Sequence, residues 1–378
     1  MTDPVWTIYA RNGALQRVAE IDDYQALEMV VRFNAVGTWV LNLDRRVTAA
    51  AAMFVTGAGI VVTRDNIVVL SGPVTKRRVE RDGENYKAII SGVDDTVWLA
   101  RRLAHPQPGS AAPPYSSTAY DVRTGLCSTV LHEFVNVNAG AGATPGRVVA
   151  ALTSITDPLI GATVTGRARW QVLITMLDEL AVAGGLGFRV VQSGTDLQFQ
   201  TYAPTDKSAI VKFSEELGNL SSFNYESSAP SVTYIFNGGG GEGTARTITE
   251  GQDVTGAAEW GRLEQFTDRR DTTDGAELLQ DIAKTLAEGS ETFGIELAPI
   301  DTASQSYGIH YQLGDRVTVV VEDDTAISEI VREVKITLAA KMAERVVPSI
   351  GTPGRRDLQR LFGAVRDLSA RTRNLERR

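Results

Sequence analysis

Two distant parts of this sequence carry runs in which apolar and polar residues alternate, the pattern of a β-strand with one buried face. In residues 24–44, Met29, Val31 and Phe33 fall on one face of an extended chain. The opposite face is expected to carry Glu28, Arg32 and Asn34. Near the other end, Val317, Val319 and Val321 also share one sheet face. Both regions are therefore predicted to be rich in strands.

Residues 59–94 predict a strand meander, because turn residues divide an otherwise β-branched stretch. The turn signals are Asp65-Asn66, a break at Ser71-Gly72-Pro73, and a hairpin turn at Asp82-Gly83. A short helix is expected over residues 94–104, with Asp94 or Asp95 as its N-cap.

The middle of the chain predicts a helix followed by a hairpin. Residues 105–117 hold four of the 13 prolines and are the best domain boundary. After a shorter helix within residues 120–147, an apolar stripe at helical spacing ends at Gly184-Gly185. The stripe consists of Trp170, Leu173, Leu177 and Leu180. Two short strands then flank a turn at residues 193–196, which is typical of an α+β unit.

The last 21 residues or so have a heptad pattern. Leu358, Leu361, Val365, Leu368 and Leu375 follow one another in steps of three and four, with Thr372 filling the remaining position. Residues 354–378 contain eight Arg against three acidic residues, a net charge of +5, which leaves −13 for the rest of the chain. A helix this short is marginal alone, so the stripe is predicted to bind a partner or to oligomerise. A helix docked on the body of the protein is the simpler alternative.

Composition excludes several function classes. The net charge of −8 disfavours general nucleic-acid binding, which needs a basic surface. The single cysteine, Cys127, excludes a disulfide framework and a multi-cysteine metal site, and only three histidines are present. Neither a signal sequence nor an apolar stretch of membrane-spanning length is visible, so synthesis in a cytoplasm without membrane insertion is expected.

No motif predicts catalysis, a cofactor or a metal. The loop at residues 238–243 lacks the Lys of a phosphate-binding loop, so a flexible loop or a tight turn is favoured over nucleotide binding. His132-Glu133 could begin a zinc helix, but position 136 is Asn136 rather than histidine. Cys127 lacks a nucleophile-loop context. The run Glu322-Asp323-Asp324 is expected to be a solvated turn rather than a cation site.

Five stretches resemble the minor tail proteins that form the baseplate hub of long-tailed phages, of the kind found in phages of actinobacteria. They are NYKAIISGVDDTVWLARRLAHPQP, YDVRTGLCSTVLHEFVNVNAG, GRARWQVLITMLDELAVAGGLGFRVVQ, VKFSEELGNLSSFNYESSAPSVTYIFNGGGGEGTAR and YQLGDRVTVVVEDD. Their order matches the family over roughly residues 5 to 345. These stretches are structural signatures and carry no reaction.

The resemblance implies a β-rich α+β protein, in which two barrel-like tube domains flank an α+β insertion and a C-terminal helix follows. The expected divisions are residues 1–104 and 230–347 for the barrel-like domains, 105–117 for the linker, 118–229 for the middle domain and 348–378 for the helix and its linker. Three copies of two barrels would continue a six-fold tail tube, so a homotrimer is implied.

The implied function is a structural, non-enzymatic hub of a phage tail tip within the virion. Its implied partners are its own copies, the distal tail protein, tail-tip or fibre proteins and the tape measure protein, with DNA passing through without specific binding. Two alternatives remain open: a tail-associated hydrolase of the host cell wall, and the hub of a phage-like injection machine.

Overall fold

The computed structural model describes residues 4–110, 117–154, 156–299, 305–321, 326–340 and 342–351. Its N-terminal region is a strand meander, as predicted, with two short helices, of which the sequence predicts only the second. The elements are β1 (Trp6–Arg11), β2 (Arg17–Glu20), β3 (Ala26–Arg32), β4 (Thr38–Asp44), α1 (Thr48–Met53), β5 (Gly59–Arg64), β6 (Ile67–Asp82), β7 (Asn85–Val93) and α2 (Val97–Ala100). Met29 and Val31 are buried on the expected face of β3.

The middle region combines two small sheets with two helices. The elements are β8 (Asp121–Leu126), α3 (Cys127–Asn138), β9 (Leu152–Ser154), β10 (Thr163–Ala168), α4 (Leu173–Gly184), β11 (Gly187–Ser193) and β12 (Asp196–Tyr202). Helix α4 ends at Gly185, which adopts the left-handed conformation with φ of 71°, so the predicted stop is confirmed. A core around Phe134, Leu177 and Phe199 joins the helices to the sheets.

The last region returns to the β-rich pattern, with a small α/β unit inserted into it. Its elements are β13 (Lys212–Phe213), β14 (Leu220–Ser228), β15 (Tyr234–Gly238), β16 (Ile248–Gln252), α5 (Val254–Trp260), β17 (Glu264–Asp268), α6 (Gly275–Gly289), β18 (Thr292–Pro299), β19 (Arg316–Val320), β20 (Ala326–Ala339) and β21 (Arg345–Gly351). Asp274 caps α6 by accepting a hydrogen bond from the Ala276 amide at 2.8 Å.

One large sheet unites the two β-rich regions. Among the described residues its main path runs β14-β18-β21-β20-β3-β4-β7-β6-β5-β1-β2, with β19 pairing β20 and β13 beside β19. The join is the antiparallel pair β3–β20, in which Val31 lies opposite Val334. Both side chains belong to one buried core that draws on both ends of the chain. The class is therefore α+β and β-rich, and the described strands form no closed barrel.

Three local expectations are corrected by the structure. Residues 71–73 are not a break, because β6 continues through them and changes partner from β5 to β7. The helix expected over residues 94–104 is limited to the four residues of α2. Asn34 is buried rather than solvent-facing, because β3 ends at Arg32 and the left-handed Asn34 turns into the middle region.

The inserted unit, residues 231–291, has its own three-stranded sheet in the order β16-β15-β17. Helix α6 covers one face of that sheet, and Val232, Ile235 and Ile282 form a small core between them. The opposite face of the sheet is not covered by α6. We call residues 231–291 the inserted unit.

Candidate assembly surfaces

The residues predicted to bind a partner, namely Leu358, Leu361, Val365, Leu368 and Leu375, lie outside the described residues. So do Glu322, Asp323 and Asp324. The candidate surfaces below lie on the part of the chain that the structure describes.

The most reactive side chains of the sequence are buried in the middle region. Burial raises the pKa of the Cys127 thiol to about 12, and the thiol donates a hydrogen bond to the Leu180 carbonyl at 3.3 Å. Burial lowers the pKa of His132, whose Nε2 lies 3.2 Å from the Thr201 hydroxyl. The His132 ring also packs edge-on against Phe199. Both side chains have the surroundings of packed core residues.

The described ranges hold neither a metal-ligand group nor a membrane-spanning helix. Within them, no group of three or more His, Cys, Asp and Glu side chains could hold a metal ion. Over the same residues, no helix has both the length and the apolar character needed to cross a membrane.

The glycine-rich loop between β15 and β16 is a tight turn, as predicted. The Gly239 amide donates to the Thr247 carbonyl and the Gly240 amide to the Thr272 carbonyl, each at 2.8 Å. Arg246 donates to the carbonyls of Gly238 and Gly239. These two amides are used within the fold, so they cannot cradle a phosphate.

The ends of the large sheet present open strand edges. In the described part of the chain β2 pairs only with β1, and β14 pairs only with β18. The outer half of β6, which pairs β7 from Val74 to Asp82, extends beyond β5 and leaves a third edge. Its residues Lys76, Arg77, Arg78 and Arg81 are exposed. Unpaired edges are the natural joining sites between copies of a β protein.

A fourth surface surrounds Arg64. The Arg64 guanidinium donates to the Tyr307 carbonyl at 2.7 Å and to the Glu344 carboxylate at 2.8 Å. It also lies over the Trp6 ring, whose indole N–H donates to Glu344. Arg64 therefore holds together three segments that are far apart in the sequence. We call these four residues the Arg64 cluster.

Large apolar side chains are exposed on the segments that the Arg64 cluster joins. Val5 is 65%, Ile67 73%, Ile309 65% and Met342 73% exposed. Each lies within three residues, along the chain, of a member of the Arg64 cluster, so the surroundings of the cluster are a candidate contact site for another protein. No local pattern predicts this surface, because its members are spread from residue 5 to residue 344.

A buried polar network fixes the large sheet on the middle region. Both guanidinium Nη atoms of Arg11 donate to the Asp95 carboxylate, at 2.7 and 2.6 Å. Arg11 also donates to Gln192 of β11 at 2.5 Å, and the Ser71 hydroxyl donates to Asp95 at 2.6 Å. Asp95 is completely buried and Arg11 is 2% exposed. The network thus connects the large sheet, which carries the strand edges and the Arg64 cluster, to the middle region.

Solved structures of three tail proteins, two of them from prophages, have a similar fold. The tail protein from Neisseria meningitidis MC58 superposes with a TM-score of 0.57 at 15% identity, over 92% of this chain and 97% of that one. The prophage tail protein gp18 from Listeria monocytogenes EGD-e gives 0.58 at 11% identity, over 96% and 99%. The 43 kDa tail protein of prophage MuSo2 from Shewanella oneidensis gives 0.57 at 12% identity, over 91% and 98%.

Sequence comparison gives the family. The search of curated proteins finds no match. The model of the family described as Siphovirus ReqiPepy6 Gp37-like protein matches residues 5–352. This range holds all the described strands and helices from β1 to β21. The chain therefore belongs to the Siphovirus ReqiPepy6 Gp37-like protein family.

Proposed function

We propose that the chain is a structural hub of a phage tail tip, a minor tail protein that continues the tail tube and joins it to tip or fibre proteins. The observation that carries this proposal is the tail-protein fold in a member of a siphovirus family, with open strand edges at both ends of its large sheet. An actinobacterial host is proposed from the sequence resemblance alone.

The proposed assembly is a homotrimer in the virion, built from two barrel-like tube domains in each copy. Its edges, β2, β14 and the outer half of β6, would supply the joins between copies. The proposed neighbours are the distal tail protein, tip or fibre proteins and the tape measure protein. DNA would pass without specific binding through a lumen with acidic walls, because like charges lower adhesion.

The exposed apolar surface beside the Arg64 cluster provides the test. The double variant Ile67→Glu with Met342→Glu should leave the chain folded and prevent its incorporation into tails, because two charges would enter a covered apolar contact. Leu159→Glu, at 64% exposure on the middle region, is the matched control. Incorporation is measured by mass spectrometry of purified particles, and cryo-EM of those particles locates the chain. If the double variant is incorporated normally, this surface is not a contact in the assembled tail.

The heptad stripe is proposed to pack against other chains. Changing Leu361 and Leu368 together to Glu should weaken subunit association and assembly, because both lie on the same stripe. Native mass spectrometry of the protein and recovery of tails are the readouts. If both are unchanged, the stripe has no assembly role.

A cell-wall hydrolase and the hub of a phage-like injection machine are the alternatives. The hydrolase gains no support from the described residues, because Cys127 and His132 are buried. We expect no clearing on a peptidoglycan zymogram. Clearing that is lost on His132→Ala or Cys127→Ala would overturn the structural function.

A further inference from the structure

The inserted unit has an open sheet face with an unusual chemistry. On the side of this sheet opposite α6, Phe236 of β15 lies between Glu250 of β16 and Phe266 of β17. Tyr234 of β15 lies beside Glu264 of β17 on the same side. Phe266 is 53% exposed. Ile248 extends the same face and is 52% exposed. We call this surface the outer face.

The outer face already holds arginines. The Arg262 guanidinium lies 3.4 Å from the centre of the Tyr234 ring and pairs with Glu264 at 2.5 Å. The Arg246 guanidinium lies 5.3 Å from the centre of the Phe266 ring and pairs with Asp268. Aromatic rings flanked by carboxylates bind the planar guanidinium by stacking and by charge-assisted hydrogen bonds.

Carboxylates remain available on this unit after its own cations are paired. Residues 231–291 contain twelve Asp and Glu against five Lys and Arg, a net charge of −7. Each of the five cations has an ion-pair partner. Glu242, Glu250 and Glu259 are exposed and have no ion-pair partner among the described residues. Of these three, Glu250 lies on the outer face, which therefore keeps an unpaired carboxylate for a further arginine-bearing segment.

The same chain provides such a segment next to the inserted unit. Gly351, the last described residue, lies opposite Gly294 in the β21–β18 pair. Strand β18 starts three residues after the end of α6, at the base of the unit, where the Ser231 amide donates to the Gly289 carbonyl at 2.8 Å. Residues 355–378 then carry eight Arg against three acidic residues.

The connection is long enough to reach the outer face. Residues 352–359 span up to about 26 Å when extended, at ~3.3 Å per residue. A compact unit of 61 residues has a radius of gyration of about 10 Å. Arg360, Arg366, Arg371 and Arg373 fall off the heptad stripe, so docking through them would leave the stripe free for other chains.

We propose that residues 355–378 dock through their arginines on the outer face of the inserted unit of the same chain. The partners on that face are the exposed ring of Phe266 and the carboxylate of Glu250, which has no ion-pair partner among the described residues. Glu264, already paired with Arg262, adds negative charge beside them. This proposal does not depend on the tail-hub function.

Photo-crosslinking of the full chain tests it. With p-benzoylphenylalanine in place of Phe266, irradiation at low salt should link the outer face to peptides from residues 355–378 within a single chain. The same amino acid in place of Trp170, a 44% exposed aromatic of the middle region, is the matched control and should not give those peptides. Glu250→Lys with Glu264→Lys should lower the yield about tenfold, and high salt should lower it also.

A charge-matched control separates a local effect from a change in net charge. Glu20→Lys with Glu84→Lys changes two exposed carboxylates of the N-terminal region and should leave the yield unchanged. Two outcomes overturn the proposal: links from position 266 to other peptides only, or links found solely between two chains. Circular dichroism of each variant verifies folding, so a lost crosslink reports lost docking.

Discussion

Replacing Arg11 by Met tests the polar network that joins the large sheet to the middle region. The substitution keeps an apolar stem of similar length and removes the guanidinium. Asp95 then loses both hydrogen bonds from Arg11, at 2.6 and 2.7 Å, and retains the one from Ser71. Gln192 loses a third, at 2.5 Å.

The size of the stability loss in Arg11→Met follows from the burial of Asp95. Asp95 is completely buried, so its charge cannot regain water when Arg11 is removed. Removing one partner of a buried ion pair costs about 3–5 kcal/mol, because the other charge is left uncompensated. We expect the free energy of unfolding to fall by that amount. The midpoint of equilibrium urea denaturation, followed by circular dichroism, measures it.

Two further variants separate the pair from its parts. Arg46→Met breaks a similar pair with Asp44 that is exposed, and should leave the urea midpoint nearly unchanged. Arg11→Met combined with Asp95→Leu removes both charges and should recover much of the loss. Two results would refute this reasoning: a loss of less than about 1 kcal/mol in Arg11→Met, or a double variant no more stable than the single one. In either case the pairing of Arg11 with Asp95 would not be what holds the large sheet to the middle region.

Three other predictions concern buried groups. Burial raises the pKa of Asp94 from 3.8 to about 6, so the native state binds the extra proton and stability should fall by about 2 kcal/mol as pH rises from 4 to 7. Asp94→Asn should flatten that dependence in urea midpoints measured at pH 4 and 7, and an unchanged slope would assign it to another group. Gly184→Ala places a Cβ 2.3 Å from the Cys127 Sγ and should cost about 1–3 kcal/mol, whereas Gly83→Ala meets only a strained φ of 58° in an exposed turn and should cost less. Iodoacetamide should leave Cys127 unmodified in the native chain and alkylate it in urea, because the thiol is buried; rapid native labelling, read by mass spectrometry, would contradict this.

Local signals predicted the features that depend on a few neighbouring residues. Asp65 and Asn66 adopt positive φ in the expected turn, and Gly185 ends α4. Strand β8 is not predicted from the sequence, because it lacks a strong apolar face. Its side chains alternate between exposed and half-buried positions, and none is fully buried. Such a strand is defined by its partner β10, which lies some forty residues away in the chain.

Long-range contacts decided what the sequence could not predict. Asn34 is polar and close to a strand end, yet its side chain accepts from the Phe188 amide at 2.8 Å, a contact across 154 residues. The Arg64 cluster spans residues 6 to 344 in the same way. The candidate surface is consequently invisible to periodicity, while the predicted stripe from Leu358 to Leu375 lies outside the described residues and stays a prediction.

The β3–β20 pair sets a delay on the folding of a nascent chain. Strand β3 ends at Arg32 and its partner β20 begins at Ala326, so a ribosome must add 293 residues between them. At about 5–20 residues per second, this takes roughly 15–60 s. During that interval β3 has an unpaired edge, and the core face with Met29 and Val31 lacks its cover from the other end of the chain. Synthesis of this protein is therefore expected to depend on holding chaperones, and a chain that stops before β20 should aggregate.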